Sequence, residues 1–222
     1  NDYFDNKTDL LNRPEEVIVG KHIARREAMA WHIALNAAGI VMGMYVAYAI
    51  GVWQMGLIFP VVAGLLWYYS TTYKHILILG NLIVALLVGL VPFIPGAFEI
   101  PPLNAEYFET LMRLQTNFYN ILIWLGGFGY FAFLTTLIRE IIKDAEDFEG
   151  DQAYGRNTLR IAAGTGFTKG LVAIFILATL VSLGLIYRIY LTDAVTLWYF
   201  IIALGLPLVF VLIRLFYAHN RS

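Results

Sequence analysis

Residues 118–151 read FYNILIWLGGFGYFAFLTTLIREIIKDAEDFEGD, and this stretch decides the fold. Its first part, 118–138, is an apolar run long enough to cross a bilayer as a helix. Its second part, 139–151, turns abruptly charged and sets Asp144, Asp147 and Asp151 at an i, i+3, i+7 spacing. On a helix that spacing stacks the carboxylates on one face within two turns. The same spacing occurs once more, at Asp2, Asp5 and Asp9.

Two rows of acids in so apolar a chain repel one another unless a hard cation sits among them. Mg²⁺ is the usual cation where carboxylates meet phosphate oxygens, so a metal-bridged diphosphate is the first chemical expectation. Composition agrees with a membrane setting. The chain is 59% hydrophobic and only 14% charged, with a mean hydropathy of +0.68, well above a soluble domain of this size. It contains no cysteine, which removes disulfides, thiolate metal sites and thiol nucleophiles from consideration. Formal charge is −1, and no basic patch interleaved with aromatics points to nucleic acid.

Working outward from 118–138, five further apolar stretches qualify as spans or nearly so: 29–50, 54–71, 76–95, 168–187 and 194–213. The expected fold is all-α, a polytopic transmembrane bundle of about six helices. Pro60, Gly80, Gly89 and Pro207 fall inside these stretches, as membrane helices tolerate. Threading the chain through the six spans sorts the basic residues. Of the fifteen Lys and Arg residues, all but Arg113 and Arg188 share the face that holds the N-terminus, which the positive-inside rule makes cytoplasmic. Both acid rows fall on that face. The opposite loop, 96–117, carries Pro101, Pro102, Glu99, Glu106 and Glu109 and reads as a structural cap with a short amphipathic helix near 104–114.

The first row lies in Asn1-Asp2-Tyr3-Phe4-Asp5-Asn6-Lys7-Thr8-Asp9, followed by Asn12-Arg13-Pro14; the second lies in Arg139 to Asp151. These stretches resemble the two signatures of the UbiA superfamily of intramembrane prenyltransferases, N-D-x-x-D-x-x-x-D and D-x-x-D-x-x-G-D, with every named position matched. Tyr69-Ser70 with Lys74, and Gly80-Asn81, are also similar to the family. The resemblance runs along nearly the whole chain and implies one UbiA-like domain over 1–222. Members have about nine helices, with the first signature after the second helix and the other after the sixth. This sequence then corresponds to a piece truncated at both ends, lacking two helices before Asn1 and one after Ser222.

The resemblance further implies a Mg²⁺-dependent enzyme that transfers a prenyl group from a prenyl diphosphate to a lipophilic acceptor in contact with membrane lipid. The implied metal set is Asn1, Asp5, Asp9, Asp144, Asp147 and Asp151, with Asp5, Asp9, Asp147 and Asp151 as the catalytic carboxylates. Arg13, Lys74, Arg139 and Lys143 are expected to hold nonbridging phosphate oxygens, because cations there complement charge the metals leave uncompensated. The second signature looks most like the branch that moves a geranylgeranyl group onto geranylgeranylglyceryl phosphate. An aromatic prenyltransferase acting on a 4-hydroxybenzoate-like acceptor, and a noncatalytic lipid-diphosphate binder, are the alternatives.

Other polar residues carry blander expectations. Arg25 and Arg26 read as interfacial anchors for anionic lipid. Asn36 and Asn81 can hydrogen-bond neighbouring helices or touch substrate. His22, His32, His75 and His219 have no spacing that makes a metal cluster, and Tyr69, Tyr73, Tyr119 and Tyr130 read as packing and belt residues, although a ring can also face a carbocation.

Overall fold

Unbroken apolar runs separated by short polar segments can satisfy their backbone only as helices in a bilayer. The computed structural model follows that rule; it describes residues 3–4, 10, 14–72, 76–153, 155 and 158–217. Among the described residues the regular elements are all helical. They are α1 (Arg25–Ala49), α2 (Ile58–Thr71), α3 (Leu79–Leu90), α4 (Phe93–Glu106), α5 (Phe108–Leu114), α6 (Ile121–Glu146), α7 (Phe148–Ala153), α8 (Leu159–Tyr190), α9 (Ala194–Tyr199) and α10 (Leu206–Tyr217). A wide helical turn, Phe200–Gly205, joins α9 to α10.

Among the described residues, five stretches are long and apolar enough to cross a membrane: Arg25–Ala49, Leu79–Glu106, Phe118–Glu146, Leu159–Tyr190 and Ala194–Tyr217. The chain is an integral, multi-pass membrane protein. The stretch expected at 54–71 is built differently. Its first residues form a tight turn, Trp53–Leu57, that folds back on α1, with Val52 N–H donating to the Ala47 carbonyl at 2.9 Å and Gly56 buried. What remains is a helix of 14 residues, about 21 Å long, against a hydrocarbon core of about 30 Å. Pro60 falls in its first turn, where a missing N–H leaves no intrahelical bond unmade.

The outer segment 96–117 is more helical than expected. After a turn at Val91–Pro92, α4 carries the third span on to Glu106 through Pro101 and Pro102, and the expected short helix is α5, ended by Gln115 in a left-handed conformation at φ 50°. Asn104 belongs to α4, and its Oδ1 accepts from Phe118 N–H at 3.1 Å, tying the entry of α6 to this cap.

Neighbours in space follow neighbours in sequence: α1 packs on α2, α2 on α3, α3 on α6, α6 on α8 and α8 on α10. The core forms where α3, α6 and α8 meet, from Ala85, Leu137, Ile138, Ile141, Leu159, Val172 and Ile176. Burial of apolar surface drives helix association weakly in lipid, so close backbone packing must do it. The closest approach is at Gly89 and Gly129. A methyl on Gly129 would stand 2.5 Å from the Gly89 carbonyl oxygen and 2.9 Å from the Phe93 ring. At the margins, α10 has no buried residue, and α1 buries only Gly43 and Ala47.

Candidate functional site

The second acid row survives folding because the chain does not leave the helical path where α6 ends. Asp147 caps α6 at φ −80°, ψ 11°; its N–H donates to the Lys143 carbonyl at 3.0 Å, and its carbonyl accepts from Asp151 N–H at 3.0 Å. Thus Asp144, Asp147 and Asp151 keep a helical register across the junction of α6 and α7. Burial then sorts the acids. Asp151 is 3% exposed, and Asp144 and Asp147 are half-buried, whereas Glu146 and Glu149, outside the row, are exposed.

Asn81, in the first turn of α3, faces this row. It is 4% exposed, and its Nδ2 donates to Asp144 Oδ2 at 2.8 Å. A neutral amide donating to a carboxylate is a charge-assisted bond, stronger than its neutral counterpart. Of the two roles open to Asn81 from sequence, the structure shows the bond to a neighbouring helix. The apolar core comes within a turn of both partners in this bond, through Ile141 on α6 and Ala85 on α3.

Arg160, at the start of α8, fastens the same segment. Its Nη1 donates to the Ala145 carbonyl at 2.6 Å, one of the last carbonyls of α6, and its guanidinium lies 4.3 Å from the centroid of the Phe148 ring. Carbonyls in the last turn of a helix lack intrahelical donors, and a cation suits the negative end of the dipole. Nε of Arg160 also reaches Thr165 Oγ1 at 3.3 Å. Between these two residues Gly164 breaks α8 at φ 80°, ψ 165°, a conformation costly for any residue with a Cβ.

The first acid row is described only at Tyr3 and Phe4. Arg25, which opens α1, donates from Nη2 to the Tyr3 carbonyl at 3.1 Å and lies 4.9 Å from the Tyr3 ring centroid. Phe4 packs edge-on against Trp67 near the end of α2, centroids 5.8 Å apart. The start of α1 and the end of α2 thus hold Tyr3 and Phe4. The short segment 72–78 connects that end of α2 to the start of α3, where Asn81 meets the second signature.

Asn1, Asp5, Asp9, Arg13 and Lys74 lie outside the described residues. Among the described residues no group of three or more acids or histidines stands close enough to hold a metal ion. Lys143 is half-buried in the last turn of α6. Arg139 is exposed, and its guanidinium pairs with Glu140, a buried acid. Sequence reasoning counted Arg160 only as one more cation on the basic face and took Arg25 for a lipid anchor. Each arginine bonds a carbonyl 15 or 22 residues away, a separation with no local sequence signal.

An all-helical membrane fold with two such acid signatures defines a class of intramembrane prenyltransferase, and the chain belongs to the UbiA prenyltransferase family, whose pattern matches residues 1–222. The particular relatives point one way. The digeranylgeranylglyceryl phosphate synthase of Methanothermobacter thermautotrophicus is 34% identical over 177 residues, 80% of this chain and 54% of that protein. The protein of the same name from Thermococcus kodakarensis is 32% identical over 182 residues, 82% of this chain and 57% of that one. That from Methanosphaera stadtmanae is 28% identical over 222 residues, 100% of this chain and 71% of its own length. The chain therefore spans little more than half the length of the first two relatives. No solved structure matches it.

Proposed function

We propose that this chain carries the diphosphate site of a Mg²⁺-dependent prenyltransferase, with geranylgeranyl diphosphate as donor and geranylgeranylglyceryl phosphate as acceptor. The observation that supports the transferase reading is the second acid row, turned onto the core beside Asn81 while Glu146 and Glu149 turn away. The choice of acceptor rests on the names of the relatives. The active site is assigned to the cytoplasmic face, because the Lys and Arg residues other than Arg113 and Arg188 gather on the side of both acid rows.

The residues fit the metal. Every proposed ligand offers a hard oxygen, and Asp151 presents a carboxylate that is 3% exposed. Mg²⁺ keeps several waters and takes one or two carboxylates plus substrate phosphates, so neither row needs to supply a complete cage. Asn1, Asp5 and Asp9 are proposed to hold it from one side, and Asp144, Asp147 and Asp151 from the other. Bound there, Mg²⁺ supplies positive charge to the diphosphate as it departs with the electron pair of the C1–O bond.

The remaining work belongs to the chain itself. Asn81 fixes the direction of the Asp144 carboxylate. Arg13, Lys74 and Lys143 are the proposed holders of nonbridging oxygens; Arg139 has to leave Glu140 to join them. The apolar walls of α3, α6 and α8 exclude water, which would otherwise capture the allylic cation.

The test uses the full-length protein in nanodiscs with geranylgeranyl diphosphate and Mg²⁺. Diphosphate release is expected only when geranylgeranylglyceryl phosphate is added, with a product heavier than that acceptor by one geranylgeranyl group in place of a hydrogen, and Asp147→Ala is expected to abolish turnover while leaving membrane insertion intact. Turnover with a 4-hydroxybenzoate-type acceptor alone overturns the choice of acceptor. Tight binding without turnover across the panel leaves a lipid-diphosphate binder in place of an enzyme.

A further inference from the structure

Two arginines, Arg25 and Arg160, are used in the same way, and the second fastens the described acid row. Arg25 is the first residue of α1 and Arg160 the second of α8, so each stands in the first turn of the helix that follows its acid row. Each reaches back to a main-chain carbonyl of that row's segment, Tyr3 at 3.1 Å and Ala145 at 2.6 Å. Each lays its guanidinium over an aromatic ring of the same segment, 4.9 Å from the centroid of Tyr3 and 4.3 Å from that of Phe148. Tyr3 stands between Asp2 and Asp5, and Phe148 between Asp147 and Asp151.

A guanidinium can do both at once because it donates in its plane and stacks through its face. The hydrogen bond fixes how far the backbone of the acid segment stands from the following helix. The ring contact fixes its roll about the chain axis. At the second row they together set the direction of Asp147 and Asp151, on either side of Phe148. A lysine can supply the charge and a donor but no flat face.

We propose that Arg160 is a positioning residue that aims the second acid row and thereby sets the affinity for Mg²⁺ with diphosphate, without touching either. The inference rests on the reading of the site as a Mg²⁺–prenyl diphosphate site. Arg160 is the stronger of the two, being half-buried and holding two hydrogen bonds, whereas Arg25 is exposed and more screened.

The experiment measures Mn²⁺ binding by electron paramagnetic resonance with geranylgeranyl diphosphate present, beside the Mg²⁺ dependence of turnover, on the full-length protein in nanodiscs. Arg160→Ala is expected to raise the Mn²⁺ dissociation constant and the Mg²⁺ half-saturation about tenfold. With saturating Mg²⁺, kcat is expected to change less than about twofold, since the acids themselves are intact. Arg160→Lys recovers part of the loss, and Phe148→Leu, which keeps the arginine and removes the ring, weakens Mn²⁺ binding about threefold. The last two variants carry the test if Arg160→Ala does not fold.

Unchanged Mn²⁺ affinity in folded Arg160 variants overturns the proposal, as does a fall in kcat with metal binding unmoved. Failure of the wild-type protein to bind Mn²⁺ with the diphosphate overturns the functional reading instead.

Discussion

Replacing Asn81 with leucine tests the most specific contact in the site. Leucine matches asparagine in shape, so Asn81→Leu removes the donor to Asp144 Oδ2 and leaves little cavity. A hydrogen bond to a charged acceptor contributes about 1.5–3 kcal/mol. Asn81 is 4% exposed, so water cannot readily take its place. Asp144 is half-buried and can recover some solvation, which favours the lower part of that range, about 1.5–2 kcal/mol. At about 1.4 kcal/mol per decade this is a ten- to thirtyfold loss. It should be read as a fall in kcat/KM for geranylgeranyl diphosphate in nanodiscs, largest at low Mg²⁺ and partly recovered by excess Mg²⁺, because the misdirected carboxylate is still present. A thermal unfolding scan of the same preparation checks that the fold is kept. If kcat/KM and the Mg²⁺ half-saturation both stay within about twofold of wild type in the folded variant, Asp144 is not held for function by Asn81 and the reasoning fails.

Two further outcomes follow from the packing and the caps. Gly129→Ala places a methyl 2.5 Å from the Gly89 carbonyl oxygen, so it is expected to destabilise the α3–α6 contact by about 1–3 kcal/mol; Gly127→Ala, with open space around its Cβ, serves as the control, and equal unfolding temperatures for the two refute the close approach. At the other end of the bundle, Asp193 caps α9, and bonds from the Thr196 side chain and the Thr196 N–H hold its carboxyl below the ordinary carboxylate range. Its contribution is therefore present above about pH 4 and is lost as pH falls through its lowered value. Amide protection at Thr196 should drop in that window for wild type and stay flat in Asp193→Asn, which still caps but does not titrate; a drop in both variants removes Asp193 as the cause.

The apolar run at 118–138 and its charged continuation were enough to establish a membrane helix ending in a row of acids, because helical periodicity is local and the bilayer penalises every other backbone conformation. The same logic placed α1, α3, α6, α8 and the α9–α10 stretch. It misjudged 54–71 and 96–117, and for one reason. Whether an apolar or proline-containing segment folds back, as Trp53–Leu57 does on Ala47, or stays helical, as α4 does through Pro101 and Pro102, depends on what packs beside it.

The site divides along the same line. The identity and spacing of Asp144, Asp147 and Asp151 were legible at once, since i, i+3 and i+7 share a helix face whatever surrounds them. The sequence by itself determined the class of fold and the helix face that carries the second acid row. Tertiary structure alone decided which neighbours these segments bond: Asn81 for Asp144, Arg160 for Ala145 and Phe148, Arg25 for Tyr3. These partners are 63, 15 and 22 residues apart. A hydrogen bond is directional over less than 1 Å, whereas periodicity specifies only a helix face, so contacts of that separation arise when helices dock and leave no pattern in the chain before they do.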